Sequence, residues 1–217
     1  MKKVLCVGYR DWAIEIYEKL RGDLEGFTFV IVKSQSELDE FDLLDFRPDI
    51  ILFYGWSSII PNEIIDKYKC LMLHPSALPK FRGGSPIQNQ IINGVLISKV
   101  TIFRMTSELD AGDILASGEL DLTGSLYEIF KRIVNIGLKT TKEVLLNNPK
   151  GLPQIHNQAS YFKRRTPEQS EITIDEILNN DSIYLYNKVR MLADPYPNAF
   201  IRTKDGKKLL IKNVEIE

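Results

Sequence analysis

The stretch DIILFYGWSSIIPNEIIDKYKCLMLHPSALPKFRGG, residues 49–84, reads as one strand–helix–strand unit that ends in a histidine loop. DIILFYG is a short run of Ile, Leu, Phe and Tyr, the pattern of a strand buried on both faces. PNEIIDKYK carries a proline at its start, where a helix loses nothing by the missing N–H. CLML is a second buried strand, and it delivers the chain directly into His74. Toward the N-terminus the alternation repeats. KVLCVGY and FTFVIVK are strands of the same kind, DWAIEIYEKLRGD has apolar residues at helical spacing, and SQSELDEFDLLDF opens with a Ser cap as one further helix. The order βαβαβαβ predicts an α/β fold, a doubly wound and mostly parallel sheet whose ligands gather at the carboxyl ends of its strands.

Beyond the loop follow a short helix PIQNQIING, a strand VTIFRM, an acidic turn SELDAGD, a strand ILASGELDL and a long helix over about residues 125–148. After NNPKGLP the composition shifts to loops and short elements, closing with the hairpin FIRTKDGKKLLIKNV around an Asp-Gly turn. This places a boundary near residue 152, with a main domain over 1–152 and a small helix-and-hairpin extension over 153–217.

Composition narrows the partners. The 217 residues carry 28 Lys+Arg against 29 Asp+Glu, a formal charge of −1, so no basic face is expected for a nucleic acid or an anionic membrane. The apolar run in MKKVLCVGYRDW is too short for a signal peptide or a membrane span, and a cytoplasmic protein is expected. Cys6 and Cys70 lie in strand-like runs without metal spacing and are expected as free buried thiols. No metal site is expected. The first-strand turn VGYRDW lacks GxGxxG, which disfavours NAD.

The chain has two histidines. His156, in PQIHNQAS, is expected at the surface. His74 sits between Pro75 and Pro79, which restrict the backbone and so the direction of the imidazole, as proton transfer requires. Arg82 beside Gly83 and Gly84 offers a guanidinium where backbone N–H groups can approach a ligand closely. In TSELDAGDIL, Glu108, Asp110 and Asp113 occupy a turn between two strands; a carboxylate there can orient His74 and offset its charge when it takes a proton. Taken singly, a proline-rich turn explains the first stretch equally well, and a solvated acidic turn explains the second better.

Together, HPSALPKFRG and VTIFRMTSELDAGDIL resemble the catalytic region of formyltransferases that use N10-formyltetrahydrofolate, a group that includes glycinamide ribonucleotide, methionyl-tRNA and sugar-nucleotide enzymes. Asp110 lies 36 residues after His74, as the family pattern expects. The resemblance covers about residues 1–125 as a fold, and implies that an acceptor amine attacks the formyl carbon while His74 moves the proton and Asp110 orients His74. It also implies a folate slot lined by Trp56, Ile59 and Ile60 with the Asp110 turn opposite. The family places an Asn two residues before the His to bind the formyl oxygen, and here that residue is Met72, which has no hydrogen to donate. Losing such a donor costs about 10²- to 10³-fold in rate. Protonated His74, a backbone N–H, or an amide from PIQNQIING (Gln88 or Asn89) is then needed; otherwise the chain binds folate or a nucleotide sugar without catalysis.

YFKRRTPEQSEI and YNKVRMLADPYPNAF resemble segments that follow the catalytic domain in the methionyl-tRNA enzymes and in the enzyme acting on UDP-linked 4-amino-arabinose. They implicate Arg165, Asn187, Arg190, Tyr196 and Pro197 around a phosphorylated, base-bearing acceptor, with Ser76, Arg82, Gly83 and Gly84 also on the substrate side. A tRNA enzyme is expected to carry a further C-terminal domain and a basic face. The expectation is therefore a sugar-nucleotide N-formyltransferase making formamido sugars for surface glycans, a homodimer with no nucleic-acid or membrane partner. A formyltetrahydrofolate hydrolase and a methionyl-tRNA formyltransferase are the enzymatic alternatives.

Overall fold

The computed structural model describes residues 1–217. Its N-terminal half runs β1 (Lys2–Val7), α1 (Asp11–Asp23), β2 (Phe27–Val32), α2 (Gln35–Glu40), α3 (Leu43–Phe46), β3 (Ile50–Tyr54), α4 (Asn62–Lys67) and β4 (Cys70–His74). Then come β5 (Arg82–Gly83), α5 (Pro86–Ile92), β6 (Ile97–Arg104), β7 (Ile114–Asp121) and α6 (Leu126–Asn147). The last part holds β8 (Tyr161–Phe162), α7 (Ile174–Asn179), α8 (Ser182–Arg190), β9 (Ala199–Arg202) and β10 (Lys208–Ile211). Six strands form one sheet in the order β2-β1-β3-β4-β6-β7. The first four are mutually parallel, β6 runs antiparallel to β4, and β7 antiparallel to β6.

Period-two alternation divides the strands between two cores. Val4, Cys6, Leu52, Tyr54, Leu71 and Leu73 pack with α1 and α6 on one face. Leu5, Val7, Ile51, Phe53 and Cys70 pack with α2, α3 and α4 on the other. Helix α6 is set by a capping box in which Ser125 and Glu128 satisfy each other's backbone N–H. Its Gly137 lets α6 close on the sheet, since a Cβ there would come within 2.7 Å of Ile16 and 2.8 Å of Leu73.

The expected single helix over 34–46 is two. Phe41 leaves helical geometry to pack edge-on against Phe46, and the Asp42 carboxylate caps a new start by accepting from the N–H groups of Leu44 and Asp45. Helix α7 has no counterpart in the sequence reading. The segment after residue 152 shares the main core, to which Ile172, Val189, Met191, Leu192 and Ala199 all belong. Both cysteines are free and buried, and burial pushes the Cys70 thiol up to about 12.

Strand β1 has β2 on one side and β3 on the other, so the chain's winding reverses between β1 and β3, the place where α/β sheets open a crevice. One hydroxyl holds that place. Tyr17, fully buried on α1, lies 3.0 Å from both the Val7 and Leu52 carbonyl oxygens and accepts from the Tyr54 N–H at 2.8 Å. Burial holds its acidity well below the ordinary phenol, so it keeps its proton. Tyr17→Phe leaves these buried backbone groups short of partners and is expected to lower unfolding free energy by about 1–3 kcal/mol, read by chemical denaturation.

Candidate active site

The carboxyl ends of β1, β3 and β4 open into a cleft of about 1100 Å³. His74 is the last residue of β4 and is 5% exposed. Its Nε2 lies 2.8 Å from the Phe81 carbonyl oxygen, which can only accept, so Nε2 carries a hydrogen. Nδ1 is then the nitrogen that gains or lacks the second proton. It faces Asp110, whose Oδ2 is 3.6 Å away. The same Oδ2 accepts the Gly83 N–H at 2.7 Å. The carboxylate thus stands between the histidine and the glycine loop, beside the atom on which a proton would arrive.

The Asp110 bend is built from several parts. Asp110 has φ +50, in the left-handed region, and the Gln154 side chain donates to the carbonyls of Asp110 (2.9 Å) and Gly112 (2.7 Å). Gly112 is required, because a Cβ would lie 1.7 Å from the Arg104 carbonyl oxygen. The other face of the Gln154 amide accepts from Arg82, at 2.7 Å from Nη2 and 3.2 Å from Nε.

Of the residues expected at the site, His74, Asp110, Trp56, Ile59, Ile60, Gly83, Gly84 and Tyr196 border the cleft, as do Met72 and Arg165. Ile59 is almost wholly exposed on the rim and Ile60 is buried beneath it. Five of the expected residues lie outside the cleft's lining: Arg82, Ser76, Arg190, Asn187 and Pro197. Arg82 is fully buried, its guanidinium consumed by Gln154 and by the Tyr161 hydroxyl at 2.7 Å. Ser76 is also fully buried, and its hydroxyl donates to the Lys80 carbonyl. Arg190 donates to the carbonyls of Leu122 (2.7 Å) and Gly124 (3.0 Å), pinning α8 to the start of α6, and Asn187 accepts from its Nε. Pro197 lies outside the cleft's lining, with its carbonyl accepting from Ser170. Asp113 packs against Gly151, while Glu108 borders the cleft.

The glycines also serve differently from the expectation. Gly84 N–H donates to the Phe162 carbonyl at 2.8 Å, and a Cβ at Gly83 or Gly84 would come within 2.4 Å of β8 or the backbone just after it. They let β5 pair with β8 at the border of the cleft. Residues the sequence did not single out complete the walls. Arg10 stacks over Tyr9 (5.2 Å) and Tyr196 (5.6 Å), and Tyr161, Phe162, Lys163 and Arg164 also line the cleft. Three buried side-chain donors in the chain lack any partner: Trp56 Nε1, Gln88 Nε2 and Arg165 Nε. All three belong to residues that border this cleft.

Residues 31–135 match the formyl transferase family. The chain is 31% identical to a methionyl-tRNA formyltransferase from Clostridium thermocellum whose structure superposes with a TM-score of 0.84, covering 97% of each chain. It is 36% identical over 87% of its length to a methionyl-tRNA formyltransferase from Campylobacter lari, of which it covers 60%. It therefore spans about three-fifths of the length of that curated relative. A 4-N formyltransferase from Francisella tularensis has the same fold, with a TM-score of 0.80 at 18% identity over all of this chain and 98% of its own. The chain belongs to the formyl transferase family.

Gln154→Leu removes the oxygen that two Arg82 nitrogens share and leaves a buried cation underpaired. We expect a loss of about 3–5 kcal/mol in unfolding free energy. Only part of it should return in Arg82→Leu/Gln154→Leu, which removes the unpaired cation but leaves the Asp110 and Gly112 carbonyls without their donor, as read by denaturant titration.

Proposed function

We propose that the chain transfers a formyl group from N10-formyltetrahydrofolate to the primary amine of a nucleotide-linked amino sugar. The observation that carries this reading is the His74–Asp110 pair at the edge of one cleft lined by both apolar and cationic side chains. At about 1100 Å³ the cleft exceeds the ~300–1,000 Å³ of a usual single-ligand pocket, which leaves room for donor and acceptor together. The donor takes the side of Trp56, Ile59 and Ile60. The acceptor takes the side of Tyr161, Tyr196, Arg10, Lys163, Arg164 and Arg165, where aromatic rings suit a base and guanidinium groups suit phosphate. Burial pulls the Arg165 pKa below the ordinary guanidinium range, with Tyr184 and Glu176 opposing, and its Nε has no partner in the chain. Segment 153–217 acts in this reading as the acceptor-binding extension.

The amine nitrogen bonds to the formyl carbon, and the carbonyl oxygen becomes an anion. His74 takes the proton that the nitrogen sheds, with Asp110 offsetting the charge. Collapse of the tetrahedral species breaks the bond to N10, which recovers the proton from His74.

A second reading, transfer to methionyl-tRNA, is favoured by the 36% identity to the Campylobacter lari enzyme. One experiment separates the readings. With N10-formyltetrahydrofolate and a panel of amino-sugar nucleotides, tetrahydrofolate should appear only when an acceptor is present, with a formamido sugar as product. Product from methionyl-tRNA alone supports the second reading, and tetrahydrofolate release without any acceptor means a hydrolase. His74→Ala and Asp110→Ala should each lower kcat by about 10²- to 10⁴-fold. Near-full activity in either variant overturns the site.

A further inference from the structure

The proposed reaction generates an oxyanion beside His74, and the cleft has few hydrogens left to give it. Met72 borders the cleft but has only a thioether. The Gly83 N–H is held by Asp110 and the Gly84 N–H by Phe162. His74 Nε2 is held by the Phe81 carbonyl. Asn89 Nδ2 donates to Gly84 (2.8 Å), and Gln90 Nε2 to Pro75 (2.7 Å) and Pro86 (2.9 Å). Arg82 is buried against Gln154. Of the three consecutive carboxamides of α5, Gln88 is the exception: it borders the cleft, is only 3% exposed, and its Nε2 has no acceptor in the chain.

We propose that the Gln88 carboxamide donates the side-chain hydrogen bond that stabilises the formyl oxyanion. This rests on the formyl-transfer reading above. A terminal amide has a broad, roughly two-fold torsional preference about Cγ–Cδ, so a small reorientation of this untied group turns Nε2 toward the cleft. Helix α5 holds the stem: Ile87 and Ile91, on either side of Gln88 in sequence, are buried in the main core and fix where the amide can reach. Burial makes the hydrogen bond stronger than it would be in water.

The test compares Gln88→Leu and Gln88→Glu in steady-state transfer and thermal unfolding. Both substitutes keep roughly the shape of glutamine and have no N–H in their usual ionic form. Both should lower kcat by about 10²- to 10³-fold with a far smaller effect on the KM for the folate. Gln88→Leu should at the same time melt no lower than the unaltered chain, because it removes a buried donor that had no partner. Adding Met72→Asn to Gln88→Leu should restore part of kcat by supplying an amide from β4. Unchanged kcat in Gln88→Leu overturns the proposal while leaving the formyl-transfer reading intact, and so does full activity in Gln88→Glu, which would show that shape and not the N–H is needed. Absence of transfer by the unaltered chain to every acceptor removes that reading, and this proposal with it.

Discussion

The Asp110 carboxylate is the constraint on which the site depends, since one oxygen serves both the Gly83 N–H and the His74 ring. Placing it there requires a non-glycine residue in left-handed backbone, a conformation that costs of order 1–3 kcal/mol and persists only where the surroundings fix it. The surroundings are specific: Gln154 holds two carbonyls of the bend, and Gly112 lets the bend press onto β6. Because Gln154 also accepts from Arg82, the buried guanidinium, the glycine loop and the acidic bend form one connected network. A buried cation without a carboxylate partner is costly unless its hydrogens are satisfied, so Arg82 commits Gln154 as firmly as Gln154 commits Asp110.

The sheet explains why the network lies where it does. The reversal of winding lies between β1 and β3, the loops after those strands meet where Tyr9 packs on Trp56 at 5.6 Å, and the Tyr17 hydroxyl ties the two strands beneath them. His74 emerges from β4, next to that opening. The loop that follows is then shaped from the far end of the chain: Ser160 accepts from Phe81 and Arg82, and β8 pairs with β5. The stacked rings of Phe81 and Phe162, 4.8 Å apart, add apolar contact to the same junction. Residues after 152 therefore form part of the wall and also part of the core.

This division accounts for what could be read in the sequence. Buried parallel strands announce themselves as apolar runs, and α1 occupies the residues its periodicity marks, so the sheet and the position of His74 at a strand end were legible. The helix break at Phe41–Asp42 was not, because Asp42 looks like any surface acid until its carboxylate caps a turn. Arg82 reads as a ligand contact because it adjoins two glycines. Its actual acceptor lies 72 residues further on, and those of Arg190 lie 66 and 68 residues earlier. Gln154 carries no motif at all. What local pattern cannot reveal is which distant acceptor a long cationic side chain will meet, and that decides whether it faces a ligand or the core.

The three unpartnered donors bear on the same question from the side of stability. A buried donor left without an acceptor costs about 1–3 kcal/mol, and elsewhere this chain avoids that cost even at fully buried Arg82 and Tyr17. Tolerance of it at Trp56, Gln88 and Arg165, which come from three separate segments and border one cleft, is not explained by poor packing of any single element. It is explained if the missing acceptors arrive with ligands. The three donors stand on three different segments: Trp56 on the loop after β3, Gln88 on α5 and Arg165 just beyond β8. The folded chain thus keeps three unused donors around one cleft, and its stability is expected to rise when ligands that supply acceptors bind there.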